Sequence, residues 1–105
     1  MIIYVDIDET ICYHEDDDTT KARDYTKAKP YIERIKKINS LFDEGNIIVY
    51  WTARGSVTGL DWTDLTFSQL SEWGAKHHNL ILGKPQYDLF IDDKNINSED
   101  FFKGV

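Results

Sequence analysis

The sequence predicts an α/β domain built on a mainly parallel sheet, and three observations carry that expectation. Short apolar runs rich in β-branched and aromatic residues, at positions 2–5, 47–51, 80–82 and 88–91, alternate in their first part with two stretches of helical period. Each run ends abruptly in polar or charged residues. The 105 residues are enough for one hydrophobic core and leave no room for a second domain, so residues 1–105 are read as a single unit.

The first run, Ile2-Ile3-Tyr4-Val5, reads as a buried strand and leads directly into Asp6 and Asp8. Residues i and i+2 of an extended chain point the same way, so these carboxylates would crowd unless the chain turns or a cation lies between them. Oxygen-rich sites of this kind suit Mg2+. Taken alone, the pair fits a strand-end turn with a capping Asp equally well.

Residues 12–29 follow no helical or strand period and read as a flap-like loop over the strand end. Their acidic run, Glu15-Asp16-Asp17-Asp18, reads as a solvated face, with a second cation site as the alternative. Pro30 is placed to open a helix in which Ile32, Ile35, Ile38, Leu41 and Phe42 share one face, and Gly45 is its left-handed stop. Ile47-Ile48-Val49-Tyr50-Trp51 is the second strand, followed by Thr52-Ala53-Arg54-Gly55. A second helix starts near Asp61 or Thr63, carries Trp62, Leu65, Leu70 and Trp73 inward and closes at Gly74. Leu80-Ile81-Leu82 forms a third strand ending at Gly83-Lys84-Pro85, and Asp88-Leu89-Phe90-Ile91 a fourth ending at Asp92-Asp93. Ser98 is placed to cap a last helical turn through Phe101 and Phe102.

Composition narrows the function classes. A net charge of −7 opposes non-specific attraction to nucleic acid or to an anionic membrane surface. The single cysteine, Cys12, cannot form an internal disulfide and reads as packing in a reducing compartment. With no basic leader and no long apolar span, a cytoplasmic location is expected. The adjacent His77 and His78 lack the spaced partners of a metal site and read as structural, as do Trp62 and Trp73.

In parallel α/β sheets, ligands bind at the carboxyl ends of the strands. Asp6, Asp8, Thr52, Arg54, Lys84, Asp92 and Asp93 each lie just past an expected strand, so the fold would gather them at one edge. Singly, each has a plain structural reading as a cap, turn or surface charge.

The set Asp6-x-Asp8-x-Thr10, a strand ending in Thr52, Lys84 before Pro85, and a strand ending in Asp92-Asp93 resembles the motifs of the haloacid dehalogenase-like (HAD) hydrolase superfamily. Trp51-Thr52-Ala53-Arg54-Gly55, Leu82-Gly83-Lys84-Pro85 and Phe90-Ile91-Asp92-Asp93-Lys94 further resemble the small phosphatases encoded with capsular polysaccharide biosynthesis genes. The resemblance implies a three-layer Rossmann-like (HAD-like) fold and Mg2+-dependent hydrolysis of a phosphomonoester through an aspartyl-phosphate. It makes Asp6 the nucleophile and Asp8 the general acid and base. Thr52 and Lys84 would hold the phosphoryl oxygens, and Asp6, the backbone carbonyl of Asp8, Asp92 and Asp93 would bind the metal. Arg54 is a candidate substrate clamp, with an ion pair as the alternative.

Glu9 stands where many superfamily members carry Gly, and it resembles the Asp-Glu-Thr form of the capless protein phosphatases. The chain is too short for a large cap domain. An open site admits large substrates or takes cover from a partner subunit in a homo-oligomer. A phosphosugar or glycan precursor is the expected substrate; the alternatives are a polynucleotide 3′-phosphate, which the net charge opposes, and a catalytically idle binding module.

Overall fold

The computed structural model of the chain describes residues 1–15 and 23–105. The acidic run at positions 16–18 and the middle of the expected flap lie outside the described residues. Among the described residues, five strands and three α-helices follow in the order β1 (Ile2–Val5), β2 (Cys12–Tyr13), β3 (Lys29–Pro30), α1 (Ile32–Asp43), β4 (Ile47–Trp51), α2 (Thr63–Glu72), β5 (Asn79–Ile81) and α3 (Ser98–Phe101). A 3-10 turn at Tyr25–Lys27 precedes β3.

The parallel sheet has the order β1-β4-β5, with Ile2 opposite Ile47 and Val49 opposite Asn79. The central strand is therefore β4. Its Ile48, Val49 and Tyr50 are buried, as a strand covered on both faces requires. By contrast, the expectation that the first strand is wholly buried fails: β1 is an edge strand, and Ile2 and Tyr4 are 67% and 56% exposed.

Both long helices end in the same way, and for a reason visible in the sequence. Gly45 takes φ +97° and donates to the Phe42 carbonyl while Asn46 N–H reaches Leu41 O. Gly74, at φ +69°, donates to Ser71 O while Ala75 N–H reaches Leu70 O. These paired bonds satisfy the last carbonyls of each helix, and only glycine takes that backbone without a Cβ penalty. The start of α1 differs from expectation. Pro30 is in β3, paired with Cys12, and the helix begins at Ile32 after Tyr31 N–H bonds to Ile11 O. A short edge ladder tolerates proline because no N–H is demanded there. Ile32, expected on the buried face, is half exposed.

The ladder between β2 and β3 also revises the reading of residues 12–29 as wholly irregular: Cys12 and Tyr13 pair with Pro30 and Lys29. Between β1 and β2 the chain turns tightly, with Thr10 and Ile11 N–H both bonded to Ile7 O. This turn drives Ile7, Ile11 and Cys12 into the core beside Ile35, Ile38, Tyr50 and Leu70.

The fourth expected strand is absent. Residues 88–91 form no ladder, and Leu89 and Ile91 are 75% and 88% exposed. The length of the connection rules out the parallel strand that was expected. Only residues 82–87 separate β5 from Asp88, about half of the dozen or more that a parallel crossover takes.

Candidate active site at the carboxyl edge of the sheet

Asp6 leaves the end of β1, Thr52 the end of β4, and Lys84 follows β5, so the three side chains converge because their strands run parallel. They line a cleft of about 220 Å³ together with Asp8, Arg54, Arg23, Tyr25 and Tyr87. Lys84 N–H bonds to Thr52 O at 3.1 Å, which ties the segment after β5 to the end of β4.

The crowding expected of the Asp6 and Asp8 carboxylates is resolved by the turn, and each acquires its own cation. Asp6 Oδ1 lies 3.6 Å from Lys84 Nζ, and its other oxygen accepts a hydrogen bond from the Thr10 hydroxyl at 3.2 Å. Burial nevertheless pushes the Asp6 pKa above the ordinary carboxylate value, against the opposing pull of the Lys84 charge and the Ile7 N–H. Lys84 Nζ also sits 5.3 Å from the centre of the Trp51 ring and 5.4 Å from that of Tyr87, so aromatic faces flank the ammonium.

Asp8 is held differently. Arg54 grips it bidentately, Nε to Oδ2 at 3.0 Å and Nη2 to Oδ1 at 2.9 Å. The guanidinium is wholly buried, its Nη1 donates to Thr66 Oγ1 and to Gln69 Oε1, and Nη2 reaches Cys12 Sγ at 3.9 Å. All five donors are thereby engaged within the chain, and the Tyr25 ring covers the group at 4.7 Å. Of the two sequence readings of Arg54, the ion pair is the one seen, and it is buried rather than on the surface. Arg54 fixes Asp8; in this arrangement it has no donor to offer a ligand.

Thr52 is buried, and its Oγ1 accepts the Arg54 backbone N–H at 3.1 Å while its hydroxyl proton is left to point elsewhere. The turn that follows depends on Gly55, at φ +81°, where a Cβ would run into the backbone carbonyl of Leu60.

Asp92 and Asp93 are exposed and do not line the cleft. Among the described residues no group of three or more His, Cys, Asp or Glu is placed to hold a metal ion. Within one chain, then, the oxygen-donor set that the resemblance implies for Mg2+ is only half assembled: the Asp6 carboxylate and the Asp8 backbone carbonyl lie at the strand end, the Asp8 carboxylate is engaged by Arg54, and Asp92 and Asp93 lie outside the cleft.

Several lining residues escaped the sequence reading. Tyr25 and Arg23 come from the irregular segment before β3, and Gln69 carries Arg54 to Tyr25 by donating from its Nε2 to the Tyr25 carbonyl. A polar residue on the inward face of α2, as Gln69 and Thr66 are, was the available signal, since buried polar side chains require partners. Burial and the neighbouring Asp8 push the Cys12 thiol up, which leaves it a packing residue as read. His78 Nδ1 accepts the Ile48 N–H and its ring stacks on Phe42, a structural role.

Fold and cleft together define a small parallel α/β domain, consistent with the Rossmann-like class, with its polar cluster at the carboxyl edge of the sheet. No family model matches the chain, and no curated protein matches it. In structure it is similar to a target protein from Vibrio cholerae whose crystal structure superposes with a TM-score of 0.79, covering 95% of this chain and 85% of that one at 21% identity. At that identity the likeness concerns the fold alone. No helix among the described residues is long and apolar enough to cross a membrane.

Proposed function

We propose that this chain is a phosphomonoester hydrolase of the HAD type, without a large cap domain, that works through an aspartyl-phosphate. One observation carries the reading. A half-buried carboxylate, Asp6, shares the cleft with an ammonium 3.6 Å away, a buried hydroxyl at Thr52, and a second carboxylate held apart by its own arginine.

A phosphoryl group set between Lys84 and Thr52 has its charge met by one cation and one donor. An Asp6 oxygen attacks phosphorus as the P–O bond to the leaving group breaks, and the leaving oxygen takes a proton that Asp8, freed from an Arg54 bond, has accepted from the phosphate monoanion. Water then attacks the aspartyl-phosphate, Asp8 recovers the proton, and phosphate leaves with Asp6 regenerated. For either transfer Asp8 gives up at least one of its Arg54 bonds, so Arg54 sets the orientation from which Asp8 moves. Mg2+ belongs to this reading as the ion that would neutralise phosphate charge, but its donors are incomplete in one chain and no step above runs through it.

Beside the cleft, a second hollow of about 180 Å³ lined by Tyr25, Trp62, Leu60 and Val57 shares its rim at Arg23 and Gln86. Aromatic faces with a polar rim suit the ring of a phosphosugar, and the net charge of −7 weighs against a nucleic-acid end.

Phosphate release from an aryl phosphate, with Mg2+ and with EDTA, tests the proposal against Asp6→Asn. Metal-dependent turnover should fall by about 10³-fold or more in the variant, since it removes the attacking group itself. Equal turnover by both chains would remove Asp6 as nucleophile, and inactivity of the native chain across aryl, sugar and nucleotide phosphates would favour an idle binding module.

A further inference from the structure

We propose that two copies of this chain exchange their C-terminal segments from about residue 86 onward, each laying residues 88–91 along β1 of the other and bringing Asp92 and Asp93 to its Asp6. The exchange stands on strand geometry; only the statement that it completes a catalytic site rests on the phosphatase reading.

Two surfaces in the molecule lack what the other offers. The outer edge of β1 has no strand partner among the described residues, and Ile2 and Tyr4 face solvent beside it. An open edge of this kind is a template for pairing with another strand. Leu89, Phe90 and Ile91 form an apolar β-type run that is 41% exposed at its best-covered residue. The two runs match in length: set in parallel with Asp88 beside Ile2, the segment brings Asp92 level with Asp6. A one-residue slip would turn every side chain to the opposite face.

The chain cannot make this pairing with itself. Parallel entry beside β1 requires a return to the amino end of the sheet, and residues 82–87 are too few for it. Antiparallel entry would be short enough, but it would carry Asp92 and Asp93 away from the carboxyl edge. At the free edge of β5 a parallel strand would lie three strand spacings from β1, roughly 14 Å, and so out of reach of Asp6. A second copy, whose segment approaches from outside, meets none of these limits.

The end of the chain indicates how much is exchanged. Helix α3 docks on α1 just past the end of β1: Ser98 Oγ reaches Glu9 O at 3.5 Å, Arg34 Nη2 meets Glu99 at 3.0 Å, and Phe102 is buried. Ser98 follows Asp93 closely enough that a strand ending beside Asp6 leads straight to this dock. Strand and α3 therefore travel together, and the α3 contacts are remade between copies, as in other domain-swapped dimers. The charges agree. Asp6 and Asp8 are balanced by Lys84 and Arg54, so adding Asp92 and Asp93 leaves the surplus that one divalent cation neutralises.

The test places Ile2→Cys and Asp88→Cys in one full-length chain with Cys12→Ala, oxidises it and reads its mass without reductant. A covalent dimer that reductant dissolves, absent from either single-cysteine chain, is expected. A bridge within one chain, or failure to bridge, overturns the exchange. Separately, Asp6→Asn chains and Asp92→Asn/Asp93→Asn chains are unfolded together, refolded, and assayed for Mg2+ binding and phosphate release. Random pairing should restore about a quarter of the native sites in the mixture and none in either chain alone. Bridging without restoration would keep the exchange and remove Asp92 and Asp93 from the site; restoration in neither assay with no bridge would remove both.

Discussion

The residues after β4 and the residues after β5 carry the same kind of sequence, a polar cluster following an apolar run, yet they reach opposite ends in the fold. Thr52 and Arg54 are buried, and all five Arg54 donors are engaged. Leu89 to Asp93 lie exposed, with no ladder. Local composition does not separate the two. Connection length does: α1 and its turns return the chain from β1 to β4, and α2 returns it to β5, but residues 82–87 hold no crossover. A strand-forming run becomes a strand only where the chain can deliver it.

The sharpest way to break that contrast is at Arg54. Replacing it by Met leaves Asp8 without its partner in a buried setting, which costs about 3–5 kcal/mol. Denaturant unfolding should show that loss, whereas Lys36→Met, removing an ion pair to the exposed Glu33, should cost about 1 kcal/mol or less. Equal losses would mean that the Arg54 network is no more than a surface pair.

The apolar residues give the next largest difference. Ile48 is fully buried in β4, and Ile48→Ala should cost about 2–5 kcal/mol. Ile91→Ala, at an 88% exposed position, should stay within about 0.5 kcal/mol when measured at concentrations where the chain is a monomer. A large effect at Ile91 under dilution would show that the segment packs within its own chain.

These pairs also show what could be read in advance. The strands at positions 2–5, 47–51 and near 80, the body of both long helices and their glycine stops follow from periodicity and backbone preference, which are local. So does the convergence of Asp6, Asp8, Thr52, Arg54 and Lys84, because parallel strands share an edge. What escaped was non-local. The pairing of Cys12 with Pro30 is two residues long and leaves no period to detect. The choice of β4 as the central strand, which puts β1 at an edge, is a property of strand order. The capture of Arg54 by Asp8, Thr66 and Gln69 joins residues from three parts of the chain. The extent of the fourth run could have been judged from spacing alone, since residues 82–87 are visibly too few.

A smaller effect should appear at Asp6, and its sign is diagnostic. Burial raises the Asp6 pKa in the folded chain, so the folded state holds its proton more tightly than the unfolded one. The stability this contributes is fully present below the unfolded value near 3.8 and is lost as pH rises through the higher folded value. Above that range the ionised Asp6 is a burden on the fold. Asp6→Asn should therefore be more stable than the native chain at neutral pH, with the gap closing as pH falls through the folded value towards about 3.8, as chemical unfolding across pH would measure. A variant that is less stable at neutral pH would mean that the Lys84 pair outweighs desolvation.

The smallest effect belongs to Glu9, in the turn that separates the two carboxylates. Its φ of +63° is the left-handed conformation, which disfavours any residue with a Cβ. A glycine would take the same backbone without that penalty. Glu9→Gly removes that strain, worth about 1 kcal/mol, but it frees the unfolded backbone and gives up the ion pair with Arg23 at 3.2 Å. That pair involves a carboxylate 58% exposed, so salt screens it, whereas strain is indifferent to salt. The variant should gain on the native chain as ionic strength rises, by about 0.5 kcal/mol between low and high salt, in paired unfolding experiments. A difference that ignores salt would show that the pair contributes nothing, and that the turn between Asp6 and Asp8 is held by its backbone bonds to Ile7 and Cys12 alone.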